Sequence, residues 1–244
     1  WSNQASAQDA STPGTATSEH PTFRNVSLEW ALSGDDDADG RVSVRYRVAG
    51  SDAWLEGPSL FRVPAGSNQG FSWANRHAGS LFLLEPGTSY EIELTLSDPD
   101  GGDTVELLTA TTRSFPVTPA GAIETVATPA TIDDVLAAAG PGEVILLADG
   151  DYGELIVTSD GTEDMPITIR PENEGGVAIN GDVRLDGRHD VIVEGLGVNG
   201  QIKFNDAARI TLRGNAILTS ADGVVSYGSG VSGAFIVDNL IVGP

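Results

Sequence analysis

Two groups of residues in this 244-residue chain have types and spacing that could do chemistry. The first is acidic. Asp35-Asp-Asp-Ala-Asp-Gly40 puts Asp35, Asp37, Asp39 and Gly40 at the spacing of the first half of a calcium-binding loop. The bidentate Glu that should close such a loop is missing, and Tyr46 stands in its place. A second run, Asp98-Pro-Asp-Gly-Gly-Asp103, adds Asp98, Asp100 and Asp103. Brought to one end of a β domain, these carboxylates would repel one another unless a cation bridged them. So incomplete a ligand set predicts weak calcium binding. Two solvated polar turns are the competing reading, and the commoner one.

The second group is basic. Lys203 and Arg213 lie in consecutive strand-like stretches and could line one face. A cation beside the carboxylate of an acidic sugar stabilises an enolate-like intermediate. Solvated strand positions explain the same two residues, and that explanation carries more weight. They are the only catalytic candidates.

Other signals are weaker. Gly195-Leu-Gly-Val-Asn-Gly200 and Gly228-Ser-Gly-Val-Ser-Gly233 have dinucleotide-binding spacing, but strands follow where a helix is needed, so both read as corners. His20, His77 and His189 form no metal spacing. Asn25-Val-Ser27 is a glycosylation sequon by pattern only. Trp54, Phe61, Phe71 and Trp73 could stack on sugar rings, though burial under loops is the favoured expectation.

Composition narrows the classes. Lys plus Arg is 13 and Asp plus Glu is 35, a formal charge of −22. Nucleic-acid binding needs a basic face, so it is excluded. High solubility, a salty environment or bound divalent cations fit. The absence of cysteine rules out disulfides and thiol chemistry. No apolar run approaches the roughly 20 residues of a membrane span. Trp1 is not a natural start, which suggests that a leader has been removed.

The elements that must carry these residues are strands. Residues 1–20 are low in apolar content and read as a tail, held in place by a neighbouring chain or domain. Residues 21–115 alternate with period two: Val26, Leu28, Trp30 and Leu32 on one side, and likewise Val42, Val44, Tyr46 and Val48. This predicts a half-buried antiparallel sandwich. Residues 116–130 read as a linker with a strand at Ile123–Val126. Residues 131–244 open with a short helix, with Thr131 as N-cap and Gly140 as its end. Then a unit recurs. Ile167-Thr-Ile-Arg, Val191-Ile-Val-Glu, Ile210-Thr-Leu-Arg and Phe235-Ile-Val-Asp start 24, 19 and 25 residues apart. A period near twenty with three short strands each predicts a solenoid, here a right-handed parallel β-helix. An ordinary sandwich with tight turns is the less favoured alternative.

Two resemblances follow. Leu84-Glu-Pro-Gly-Thr-Ser-Tyr90 resembles the fibronectin type III pattern, in which the Tyr makes a corner hydrogen bond. The entry domain of purple acid phosphatases is also similar, without a metallophosphatase motif after it. The helix, Gly142-Glu-Val-Ile-Leu-Leu-Ala-Asp-Gly-Asp-Tyr152, Met165-Pro-Ile-Thr-Ile-Arg170 and Val191-Ile-Val-Glu-Gly-Leu196 resemble the opening of the chondroitinase B and alginate lyase type of polysaccharide lyase. That resemblance implies a secreted or cell-surface, bacterial β-helix protein that engages acidic polysaccharide. The family's Lys base, Arg and calcium have no match here, so the chain alone is expected to be catalytically silent. The alternative is a non-enzymatic subunit of an extracellular filament or surface assembly, partnered by copies of itself.

Overall fold

The computed structural model describes residues 8–228 and 230–243. It divides into two compact units, Trp1–Phe115 and Pro116–Pro244. The chain is almost wholly β.

The first unit is an antiparallel sandwich. Its strands are β1 (Thr12–Thr17), β2 (Val26–Ser33), β3 (Arg41–Val48), β4 (Leu55–Val63), β7 (Arg76–Leu81), β8 (Ser89–Ser97) and β9 (Thr104–Thr111). A small hairpin, β5 (Gly66–Asn68) with β6 (Phe71–Trp73), interrupts the series. The order is β1-β2-β7-β4-β3-β8-β9. Strand β4 changes partners along its length. Its first part pairs with β3 and its last three residues pair with β7. That switch lets the two halves face each other over one core, built from Val26, Leu28 and Trp30 on one side and Ile92, Leu94 and Leu96 on the other.

The period-two reading holds: β2 and β8 alternate buried and exposed along their lengths. The expected tail docks in part on the domain of its own chain. Residues 1–7 lie outside the described residues, but 12–17 form β1 and pair with β2. Apolar content could not foretell this, because the strand is held by backbone bonds and by the Trp30 indole, which donates to the Gly14 carbonyl at 3.2 Å. The corner hydrogen bond is present: Glu85 N–H donates to the Tyr90 hydroxyl at 2.8 Å. Tyr90→Phe should therefore lower sandwich stability by about 1 kcal/mol in urea unfolding. An unchanged midpoint would show that the bond contributes nothing net.

The second unit is a parallel β-helix. Strand β10 (Glu124–Ala127) and helix α1 (Ile132–Ala138) open it. Three strands per coil follow. They are β11 (Val144–Leu147), β12 (Gly150–Tyr152) and β13 (Leu155–Ile156), then β14 (Ile167–Pro171), β15 (Val177–Ile179) and β16 (Val183–Arg184). Next come β17 (Val191–Glu194), β18 (Gly197–Asn199) and β19 (Ile202–Lys203). Then β20 (Thr211–Arg213), β21 (Ala216–Leu218) and β22 (Val224–Val225), and last β23 (Phe235–Val237) and β24 (Leu240–Val242). They stack into three parallel sheets, β10-β11-β14-β17-β20-β23, β12-β15-β18-β21-β24 and β13-β16-β19-β22.

Inward columns fill the core. Ile145, Ile169, Val193 and Leu212 stack in register, as do Ile179, Val198 and Ile217. Every one of them is buried, and each contributes roughly 1.5–3 kcal/mol of burial. Corners repeat as well. Gly195, Gly214 and Asp238 take left-handed φ of 70°, 63° and 54° at matching places, which Gly adopts without steric cost and Asp tolerates. The helix departs from expectation at its ends. Thr131 makes no side-chain cap; its hydroxyl accepts from Thr128 N–H instead, at 3.0 Å. The end comes at Ala139, which is already extended, rather than through Gly140.

Candidate functional site

In the sandwich, the loops after β2 and after β8 do meet. Ligand oxygens of Asp35, Asp37 and Asp39 lie within 4.8 Å of one another, and so do those of Asp39, Asp98 and Asp100. Asp39 belongs to both sets. These clusters could hold a metal ion.

The six candidates have different duties. Asp35 is buried and committed: its carboxylate pairs with the Arg62 guanidinium and accepts Gly40 N–H at 3.0 Å. Arg62 also donates to the Asp35 carbonyl at 3.1 Å and to the Asn75 side chain. Asp103 accepts Asp98 N–H at 2.9 Å and braces the second loop. Asp98 accepts Ser11 N–H at 2.9 Å and Asp100 N–H at 2.8 Å. Asp37, Asp39 and Asp100 are left for a cation. Burial and then the neighbouring Asp37, Asp100, Asp98 and Asp35 push the Asp39 carboxyl above the usual carboxylate range. Burial, with Asp37, Asp9 and Asp98, does the same to Asp100. The Ser11 hydroxyl is the main influence holding Asp98 low, although it makes no hydrogen bond of ordinary geometry.

On the β-helix, coil length decides which side chains meet. Residues 19 apart lie one above the other. Arg209 grips Asp190 through two bonds at 2.6 and 2.7 Å. Arg213 pairs with Glu194, and Asn205 Nδ2 donates to Asp186 at 2.7 Å. Gln201 N–H donates to Asp182 at 2.9 Å. Asn215 is the buried member. Its Oδ1 accepts Leu196 N–H at 3.1 Å, and its Nδ2 donates to the Val193 carbonyl and to Asn239.

Lys203 and Arg213 do not share a face. Lys203 is on β19 and Arg213 on β20, in different sheets. Successive strands of one coil turn onto different sheets, so neighbours in sequence are not neighbours on a surface. Lys203 Nζ contacts Asp182 at 2.5 Å, and with burial opposing it this contact holds the Asp182 carboxyl low. All six cations of residues 116–244 are ion-paired: Arg170 with Glu124, Arg184 with Asp186, Arg188 with Asp160, and Lys203, Arg209 and Arg213 as above. A shallow depression on the surface is lined by Arg170, Pro171, Glu172, Glu174, Glu194, Gly195 and Arg213.

Sequence reasoning passed over two clusters. One is Arg62 with Asp35, separated by 27 residues with no pattern to join them. The other is His189, Asp190 and Arg209, where His189 Nδ1 lies 2.8 Å from Asp190. Comparing each position with the one 19 residues on would have found it. The expected burial of aromatic side chains also fails in part. Phe61 is 77% and Phe71 is 78% exposed. Phe61 lies in the stretch of β4 that has changed sheets, and Phe71 on the small hairpin. Trp54 is partly buried between the guanidinium groups of Arg45 and Arg47, 4.7 and 4.5 Å from its ring centre. The Trp73 indole donates to the Pro64 carbonyl.

Residues 126–209 match the family described as Chondroitinase B. The β-helix resembles that of chondroitinase B. Among solved structures, the PL6 family polysaccharide lyase Pedsa3628 from Pseudopedobacter saltans is 24% identical, with a TM-score of 0.34 over 40% of this chain and 25% of its own. The PL6 family alginate lyase AlyGC is 25% identical, with a TM-score of 0.35 over 39% of this chain and 15% of its own. This chain thus spans a quarter or less of the length of those two lyases. The fibronectin type III domain of human fibronectin type III domain containing protein 3 is 14% identical, with a TM-score of 0.30 over 50% of this chain and 100% of its own. No curated protein matches. No helix among the described residues is long and apolar enough to cross a membrane.

Proposed function

We propose that this is a secreted or cell-surface protein whose β-helix engages acidic polysaccharide. The match to chondroitinase B over residues 126–209 carries the reading. Those coils supply Arg170, Glu172, Glu174 and Glu194 to the surface depression, which Arg213 completes. Physics then sets a condition. Each β-helix cation already faces a carboxylate, so a polyanion meets a surface that is negative overall. Divalent cations must bridge the two, with Glu172 and Glu174 as the exposed acceptors and Arg213 as the guanidinium partner of the sugar carboxylate. Lyase chemistry needs a positioned base and acid besides. The paired Lys203 and Arg213, on separate sheets, do not form such a set. At the sandwich tip, calcium is the cofactor that the Asp39-centred clusters suit, since a hard cation takes oxygen ligands.

Cosedimentation with alginate and chondroitin sulfate, against dextran as neutral control, tests the reading. Binding to the acidic chains should appear with calcium chloride and fall at least tenfold in EDTA. Absence of binding to either acidic chain would overturn it. An ultraviolet assay for unsaturated uronate on the same substrates should stay silent, and a signal would return Lys203 and Arg213 to a catalytic role. A structural role in an extracellular assembly is the second reading. The outward-facing apolar Leu218 and Leu240 favour it, and self-association without glycan binding is its expected outcome.

A further inference from the structure

The acidic tip is not made by its two loops alone. The segment Gln8–Ser11 runs between them. Gln8 N–H donates to the Asp36 carboxylate at 2.8 Å, and Asp36 N–H returns a bond to the Gln8 carbonyl at 3.2 Å. On the other side Ser11 N–H bonds both the Asp98 carboxylate, at 2.9 Å, and the Gly101 carbonyl, at 3.1 Å. The fit is close. A Cβ on Gly102 would stand 2.0 Å from the Ser11 carbonyl oxygen, so only glycine lets the segment in.

Two polar atoms inside this junction make no hydrogen bond of ordinary geometry. Ser11 is 4% exposed, and its Oγ makes no hydrogen bond of ordinary geometry. That Oγ and Asp35 Oδ1 lie equally near the inner face of Gly40, each 3.2 Å from where a Cβ would be. The hydroxyl is therefore aimed into the cluster. Asp39 Oδ1 is likewise enclosed and unpartnered. Buried polar atoms are normally satisfied, and an oxygen pair left over beside crowded carboxylates points to a ligand that supplies positive charge. Hydrogen-bond donors already serve Asp35, Asp98 and Asp103. What remains is a set of oxygens, which is the preference of a hard divalent cation.

We infer that a divalent cation of the calcium class binds between Asp37, Asp39 and Asp100 with the Ser11 hydroxyl, and so latches strand β1 to the sandwich. The inference rests on the calcium assignment at this tip and adds what the cation does there. Among the described residues, strand β1 pairs only with β2. Its middle is secured by the Trp30 indole on Gly14, and its near end by residues 8–11. A cation that takes the Ser11 hydroxyl as a ligand ties the near end to both loops at once. Without it, β1 is an edge strand that opens locally. Opening would bare the outer edge of β2 for pairing with another strand.

Hydrogen exchange on the full chain, read for residues 11–17 in calcium chloride and in EGTA, tests this, alongside calorimetric titration with calcium. At a free calcium concentration ten times Kd, opening of β1 should be suppressed about 11-fold, with β3 and β8 unaffected. The D39N/D100N variant keeps the shapes and removes two ligand charges, so both the heat and the calcium-dependent protection should vanish. S11A should keep most of the heat and lose most of the added protection. Calcium heat in the wild-type chain with no change in β1 exchange would overturn the latch and leave the cation site standing. No heat in the wild-type chain would overturn the cation assignment itself.

Discussion

Arg62→Met should unfold the sandwich at markedly lower urea, with a loss of roughly 3–5 kcal/mol. The side chain of Asp35 is fully buried and that of Arg62 nearly so. Removing the guanidinium leaves a carboxylate with no countercharge and no route to water. The Asp35 carbonyl and the Asn75 side chain lose donors in the same step. The double variant Asp35→Asn, Arg62→Met should recover most of the loss, because an amide still accepts Gly40 N–H and no charge is stranded. A double variant as unstable as Arg62→Met alone would show that shape, not charge, sets the penalty. The β-helix transition should not move, which makes it the internal control.

Asp190→Asn should have the largest effect in the second unit, about 2–3 kcal/mol. The carboxylate is 3% exposed and receives Arg209 through two bonds and His189 through a third. Burial pushes its pKa up, but Arg209 and then His189 outweigh burial and hold it below the usual range. The sign follows from linkage. A carboxyl with a depressed folded pKa contributes stability that is complete above its unfolded pKa, about 4, and is lost as pH falls through the folded value. Wild-type stability should therefore fall on acidification below about pH 4, and Asp190→Asn should show a shallower slope there. Equal slopes would remove Asp190 from the acid limb. The amide tolerates the left-handed φ of 58° at this position, so backbone strain does not confuse the comparison.

These two pairs show where the sequence was legible. Val191-Ile-Val-Glu and its echoes announced coils, because burial in a stacked solenoid demands the same apolar triplet at each return. Leu84 to Tyr90 announced the sandwich, because a corner needs its Pro, Gly and Tyr in order. The acidic runs announced their meeting, since one joins the second strand to the third and the other joins the last two, at the same end of a sandwich. Arg62 announced nothing. Its partner is reached only because β4 leaves one sheet for another, and no local pattern marks that departure. Lys203 and Arg213 misled for the opposite reason. Closeness in sequence suggested a shared face, but strands of the β-helix change sheet every few residues. Ser11 was hidden in a stretch too polar to suggest a strand, whose order comes from backbone bonds and one indole.

The regular spacing of the coils also bears on how the second unit is made. Each new strand finds its partner 19 to 28 residues back, never far along the chain. The entropy of closing such a loop grows only slowly with its length, so every coil is added at nearly the same cost. What changes is the reward, which needs a finished edge to pair with and an apolar cross-section to cover. The first coil has only β10 and α1 to lie against, and its neighbours each have a whole coil. Assembly therefore has a hard beginning and an easy continuation, like the growth of a crystal from a seed. Helix α1, with Ile132 and Leu136 in the core, belongs to that seed.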